Sequence, residues 1–96
     1  MNSSYAWHQK ELERQFKALA NKRRLSILAY LKNKKEKEAT VGDIAQAIRL
    51  SFKSTSRHLG VLSAANILEK EQRSLEVHYF LAPRMSNVAR HSVSLL

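Results

Sequence analysis

The chain has 96 residues, 44% of them hydrophobic, enough for one small core, and it is expected to form a single domain over 1–96. It contains no cysteine, which excludes disulfides, thiolate metal sites, thiol nucleophiles and redox sensing by the chain itself, and fits a reducing cytoplasm. Seventeen Lys and Arg against eight Asp and Glu give a formal charge of +9, a field that draws in polyanions, nucleic acid first among them.

The opening stretch MNSSYAWHQK has no basic start leading into an apolar run. No window approaches the roughly 20 apolar residues needed to span a bilayer, so the expectation is a cytoplasmic protein without a membrane partner. Two glycines and one proline, with no linker and no repeat, indicate a mostly helical chain. Over 5–20, Leu12, Phe16 and Leu19 recur at i, i+4 and i+7 and mark one face of a first helix. Asn21 is a candidate N-cap for a second helix, in which Leu25, Leu28 and Leu31 form a stripe backed by Ile27 and Tyr30. The charged run KNKKEKE that follows reads as a solvated connector.

Thr40 and Asp43 form a capping-box-like start for VGDIAQAI, whose Ile44, Ala45 and Ile48 supply a buried side. Ser51 offers another N-cap a few residues on, so two helices joined by the turn IRLS make a helix-turn-helix. Asn66 can take the left-handed position that stops the second of them. ILEKE and EVHYFLA then read as strands flanking the tip QRSL, a hairpin in the place of a wing. Pro83 closes the second strand, and 84–96 can form a last helix. The fold class expected is mainly α with a small β-hairpin, a winged helix-turn-helix in the order α-α-α-α-β-β-α.

On a helical wheel, Phe52, Thr55, Leu59 and Leu62 of the helix over 51–65 fall on one side, toward the core. Lys53, Arg57 and Gly60 lie opposite, with Ser54 beside them and Ser56 and His58 at the edges. Cations and hydroxyls near the N-terminus of a second helix are the groups that reach phosphates and base edges in the major groove. Lys53, Ser54, Ser56, Arg57 and His58 are therefore the candidate contacts to double-stranded DNA. Arg73 is the candidate in the wing, where Glu69, Glu71 and Glu76 surround it and point to a weak grip.

From Leu12 to Leu81 the sequence resembles the ArsR-type winged-helix transcriptional regulators. FKALANKRRLSIL is similar to that family's Ala-Leu-Ala-Asp segment, with Asn21 in place of Asp, Lys22 in place of Pro, and Arg24 and Leu25 matching. Leu50, Ser51, Ser56, Arg57, His58 and Leu59 stand where its Leu-Ser and Ser-Arg-His-Leu are expected, and EQRSLEVHYFL resembles its wing. Arg49 replaces the usual turn glycine, Gly60 a residue that is often basic, and Ser74 the wing-tip glycine. The resemblance implies a homodimer joined through the helices over 5–20 and 84–96, and Tyr5, Trp7, Leu12, Met85, Val88 and Leu95 are the candidate contacts. The same side chains can instead complete a monomer core. It further implies a repressor that reads a palindromic operator with two recognition helices about 34 Å apart.

No metal is expected: the family's Cys pair is absent, and His8, His58, His78 and His91 are scattered over different elements. No other cofactor is indicated. Nothing resembles a catalytic constellation, since paired carboxylates, a Gly-rich phosphate loop and a nucleophile with its base are all missing, so the chain is not expected to be an enzyme. The competing reading is a winged helix that binds protein without sequence-specific DNA binding, for which the acidic wing and Gly60 speak.

Overall fold

Four of the helix starts are fixed by a short polar side chain. In the computed structural model, which describes residues 3–96 and the side chains of 8–96, α1 spans Ser3–Leu19 and α2 spans Lys22–Asn33. Asn21 caps α2 by accepting a hydrogen bond from the Arg24 amide at 3.0 Å. Thr40 and Asp43 form the full reciprocal capping box at the start of α3, Val41–Ile48. Ser51 caps α4, Phe52–Ala64, and Ser86 caps α5, Asn87–Ser94. The strands of the wing, β2 (Leu68–Arg73) and β3 (Glu76–Leu81), pair antiparallel from Leu68 opposite Leu81 to Arg73 opposite Glu76. Ser74 and Leu75 alone form the tip.

A third strand adds to the expected hairpin. Residues Glu38–Thr40 form β1, which pairs antiparallel with β3 and gives the sheet order β1-β3-β2. The end of the charged run read as connector is thus sheet. Three residues are too few for a period-2 pattern to register in the sequence, and tertiary pairing to β3 supplies what the local signal lacks. Ala39 is buried there, opposite Tyr79.

The core lies among α2, α3, α4 and the start of β2, with Ile27, Leu28, Leu31, Ile44, Leu59, Leu62, Ile67 and Leu68 fully or almost fully buried. Two apolar faces differ from the wheel projections. On α1, Leu19 is buried, but Leu12 and Phe16 are exposed, and the inward row is Gln15, Ala18 and Leu19. On α4, Thr55, Leu59 and Leu62 are buried as expected, whereas Phe52 is 63% exposed. Phe52 is the first helical residue, and a helical side chain leans toward the N-terminus, which carries this ring past the end of the core.

Arg49 and Asn66 both adopt the left-handed conformation, at φ 57° and 60°, as does Ser74 at the wing tip with φ 59°. Arg49 is the C-cap of α3, so the helix-turn-helix bends at this point without the glycine that would adopt that geometry at least cost. Thr55 is completely buried and its hydroxyl has no hydrogen-bond partner among the described residues. An unpaired buried hydroxyl is destabilising, and valine has nearly the same shape. Thr55→Val is expected to raise the urea midpoint by an amount corresponding to about 1 kcal/mol, with the m-value unchanged.

Candidate nucleic-acid interface

The outer face of α4 carries Lys53, Arg57 and Gly60, all exposed, with open space around Gly60. Neither Lys53 nor Arg57 makes an ion pair or side-chain hydrogen bond among the described residues. No acidic residue occurs between Asp43 and Glu69, so no carboxylate within the helix-turn-helix past that cap offsets the two cations. Ser54 and Ser56 are half-buried on the flanks. The face can donate several charge-assisted hydrogen bonds, and its cations are already free to do so.

His58 departs from its expected outward position. It is half-buried and turned toward α2, where Arg24 Nη1 lies 3.1 Å from its Nδ1. The guanidinium can only donate, so Nδ1 accepts and the proton of the neutral ring sits on Nε2. Arg24 also donates from Nε to the Ala18 carbonyl at 2.6 Å and from Nη2 to the Lys17 carbonyl at 3.0 Å. One guanidinium therefore closes the carbonyl end of α1 and fixes the side of α4. His58 positions α4 against α2 through Arg24.

Burial pushes the His58 pKa below the ordinary histidine range, and Arg24, Arg57 and Arg23 push the same way. A lowered pKa means that the folded state binds fewer protons than the unfolded one. The stability held by neutral His58 is complete above its unfolded value of about 6.5 and is lost as pH falls from there toward the folded pKa. Wild-type protein is expected to lose urea stability between pH 7.5 and 5.5, and His58→Asn to lose less over the same interval. Equal losses would remove His58 from the account.

Arg73 sits at the end of β2 with its guanidinium held by Glu38 and Glu71, the latter at 3.3 Å. Glu38 also approaches His78 Nδ1 at 3.0 Å. Arg73 thus arrives on the wing already paired, with Glu38 of β1 as a partner the sequence did not reveal. The residues assigned to subunit contacts separate as well. Leu12 and Leu95 are exposed, Val88 is half-buried against the core, and Met85 is only 8% exposed because it fills the chain's own core. The side chains of Tyr5 and Trp7 lie outside the described residues. Beside Leu12, an open groove of about 440 Å³ is lined by Gln9, Leu12, Glu13, Phe16, Lys17 and Ala20.

Two residues that hold this arrangement carry little sequence signal. Gln15 is 3% exposed on α1 and donates from Nε2 to the carbonyl of Ala65 at the end of α4, at 2.8 Å, and to Glu11 at 3.0 Å. Its Oε1 accepts from the Ser86 hydroxyl at 2.9 Å, the same hydroxyl that caps α5. A polar residue inside the first helix is a surface position by pattern alone. Arg24 is by pattern one more cation in KRR, and only the family resemblance sets it apart. No group of three or more metal-ligating side chains occurs among the described residues, and no helix among them is long and apolar enough to cross a membrane.

The family profile of a helix-turn-helix domain matches residues 19–71, more than half of the chain. The chain belongs to this helix-turn-helix family. The matched stretch runs from the end of α1 into β2 and includes the whole exposed face of α4. Solved winged helix-turn-helix structures are similar to this helix-turn-helix protein over most of its length. It is similar to a homodimeric winged helix-turn-helix DNA-binding domain of Mb0332 from Mycobacterium bovis, a possible ArsR-family transcriptional regulator, with 28% identity and a TM-score of 0.84 over 99% of this chain and 83% of that one. Reduced HlyU from Vibrio cholerae is 26% identical, with a TM-score of 0.77 over 99% of this chain and 94% of that chain. AntR, an antimony-specific transcriptional repressor, is 25% identical, with a TM-score of 0.72 over 91% of this chain and 74% of that one. No curated protein sequence matches at significant similarity.

Proposed function

We propose that this protein is a homodimeric transcriptional regulator, acting as a repressor, that reads a palindromic site in double-stranded DNA with α4 in the major groove. The observation that carries the reading is the acid-free face of α4, where Lys53 and Arg57 stand exposed and unpaired at the end of the helix that reaches base edges in a helix-turn-helix. Lys53, Ser54, Ser56 and Arg57 carry the DNA contacts in this reading, and Arg73 contributes only by exchanging its carboxylate partners for phosphate. Support for a dimer comes from the exposed Leu12, Phe16 and Leu95 and from the homodimeric Mycobacterium bovis relative. Support for repression comes from the relative described as a transcriptional repressor. The reading assigns the protein no catalysis and a cytoplasmic place of action.

The test is selection of duplexes from random DNA by the purified protein, followed by a salt titration on the enriched sequence. An inverted repeat with half-sites about one helical turn apart and a steep fall of affinity with salt are expected. A second reading, protein binding through the wing, rests on the acidic hairpin and on Leu75, which is 95% exposed at its tip. Weak, sequence-blind DNA binding in the selection favours that reading over the first.

A further inference from the structure

The N-terminal end of α4 carries one feature that phosphate binding leaves unused. Phe52 directly follows the cap Ser51 and is 63% exposed, next in the chain to the exposed cation Lys53. Arg49, also exposed, ends the preceding helix two residues before the cap. A large aromatic ring standing in water at the helix end contributes little to the fold. The surface that complements an exposed ring next in the chain to a cation is anionic and has apolar points set between its charges. The major groove fits this description, because phosphates line it and each thymine places a 5-methyl group on its floor.

We propose that Phe52 is a specificity-determining residue that packs against a thymine 5-methyl group in each half-site. The inference rests on the reading that α4 enters the major groove, and it adds the base that the helix end selects. Serine, arginine and lysine on the same helix bond to polar edges and phosphates, whereas an aromatic ring at this position can distinguish thymine from cytosine by the methyl alone. Phe52 is not part of the core, so its replacement leaves the fold in place.

The experiment uses the full chain and the inverted repeat enriched in selection, with each thymine in turn replaced by deoxyuridine, which removes only the methyl group. Affinities are measured by fluorescence anisotropy for wild type, Phe52→Ala and Phe52→Leu, with circular dichroism melting as the check on folding. One thymine per half-site is expected to matter for wild type, its replacement weakening binding about fourfold, the order of magnitude of burying one methyl group. Phe52→Ala should bind the thymine and deoxyuridine sites equally, and Phe52→Leu should retain part of the discrimination. If no thymine methyl affects wild type, or if Phe52→Ala discriminates as wild type does, the assignment of Phe52 is overturned while DNA reading by α4 stands. If wild type enriches no sequence at all, the reading beneath it falls too.

Discussion

Gln15→Ala is expected to lower the folding stability by about 3 kcal/mol. The substitution removes three hydrogen bonds and leaves the Ala65 carbonyl and the Ser86 hydroxyl without their amide partner in a buried place. An orphaned buried group costs about 1 to 3 kcal/mol, and the lost packing of the side chain adds to this. For a domain of this size that is a large share of the total stability, typically about 5 to 15 kcal/mol. Urea unfolding at pH 7.5 reads the effect. A double-mutant cycle shows its origin, because Ser86→Ala removes both the cap of α5 and a partner of Gln15. The two losses together should fall short of their sum, since the shared bond can be lost only once.

The second large effect is on binding. Arg57→Ala is expected to weaken affinity for the enriched site by about 1 to 3 kcal/mol, between fivefold and somewhat over a hundredfold, and to relax selectivity at one position of each half-site. Stability should be unchanged within about 0.5 kcal/mol, because Arg57 is exposed and makes no ion pair among the described residues. Lys53→Ala should behave differently. At the first turn of α4 a phosphate contact is the natural role of this flexible ammonium, so affinity should fall evenly across sequences and the salt slope should decrease by about 1 per protomer. The contrast between the two variants separates base reading from charge attraction, which a single variant does not.

Local polar chemistry made much of the fold legible. Asn21, Thr40 with Asp43, and Ser51 each announced a helix start that the structure places within a residue, and the left-handed Asn66 ended α4 as expected. The elements that escaped are those whose order comes from distant parts of the chain. Strand β1 exists because β3 is there to pair with Glu38–Thr40. Gln15 and Arg24 gained their roles from groups many residues away, the Ala65 carbonyl and the Ser86 hydroxyl for the former and a ring nitrogen of His58 for the latter. Wheel projections located Lys53 and Arg57 correctly on the exposed face. They failed for Phe52 because a wheel has no axial coordinate and does not know where along the helix the core ends, and for Phe16 because the face that α1 turns inward is the row of Gln15, Ala18 and Leu19. His58 was misplaced for a related reason. It sits at the edge of the wheel, and its direction was settled by a guanidinium on another helix.

The central claim, that the exposed face of α4 reads DNA sequence, is tested most directly by one ratio. Affinity for the enriched inverted repeat is divided by affinity for a scrambled duplex of equal length, at one fixed salt concentration, for wild type and for Arg57→Ala. The expected result is a wild-type preference of at least about a thousandfold that drops by about fivefold or more in the variant. A ratio near one for wild type, or a ratio that Arg57→Ala leaves unchanged, would contradict it.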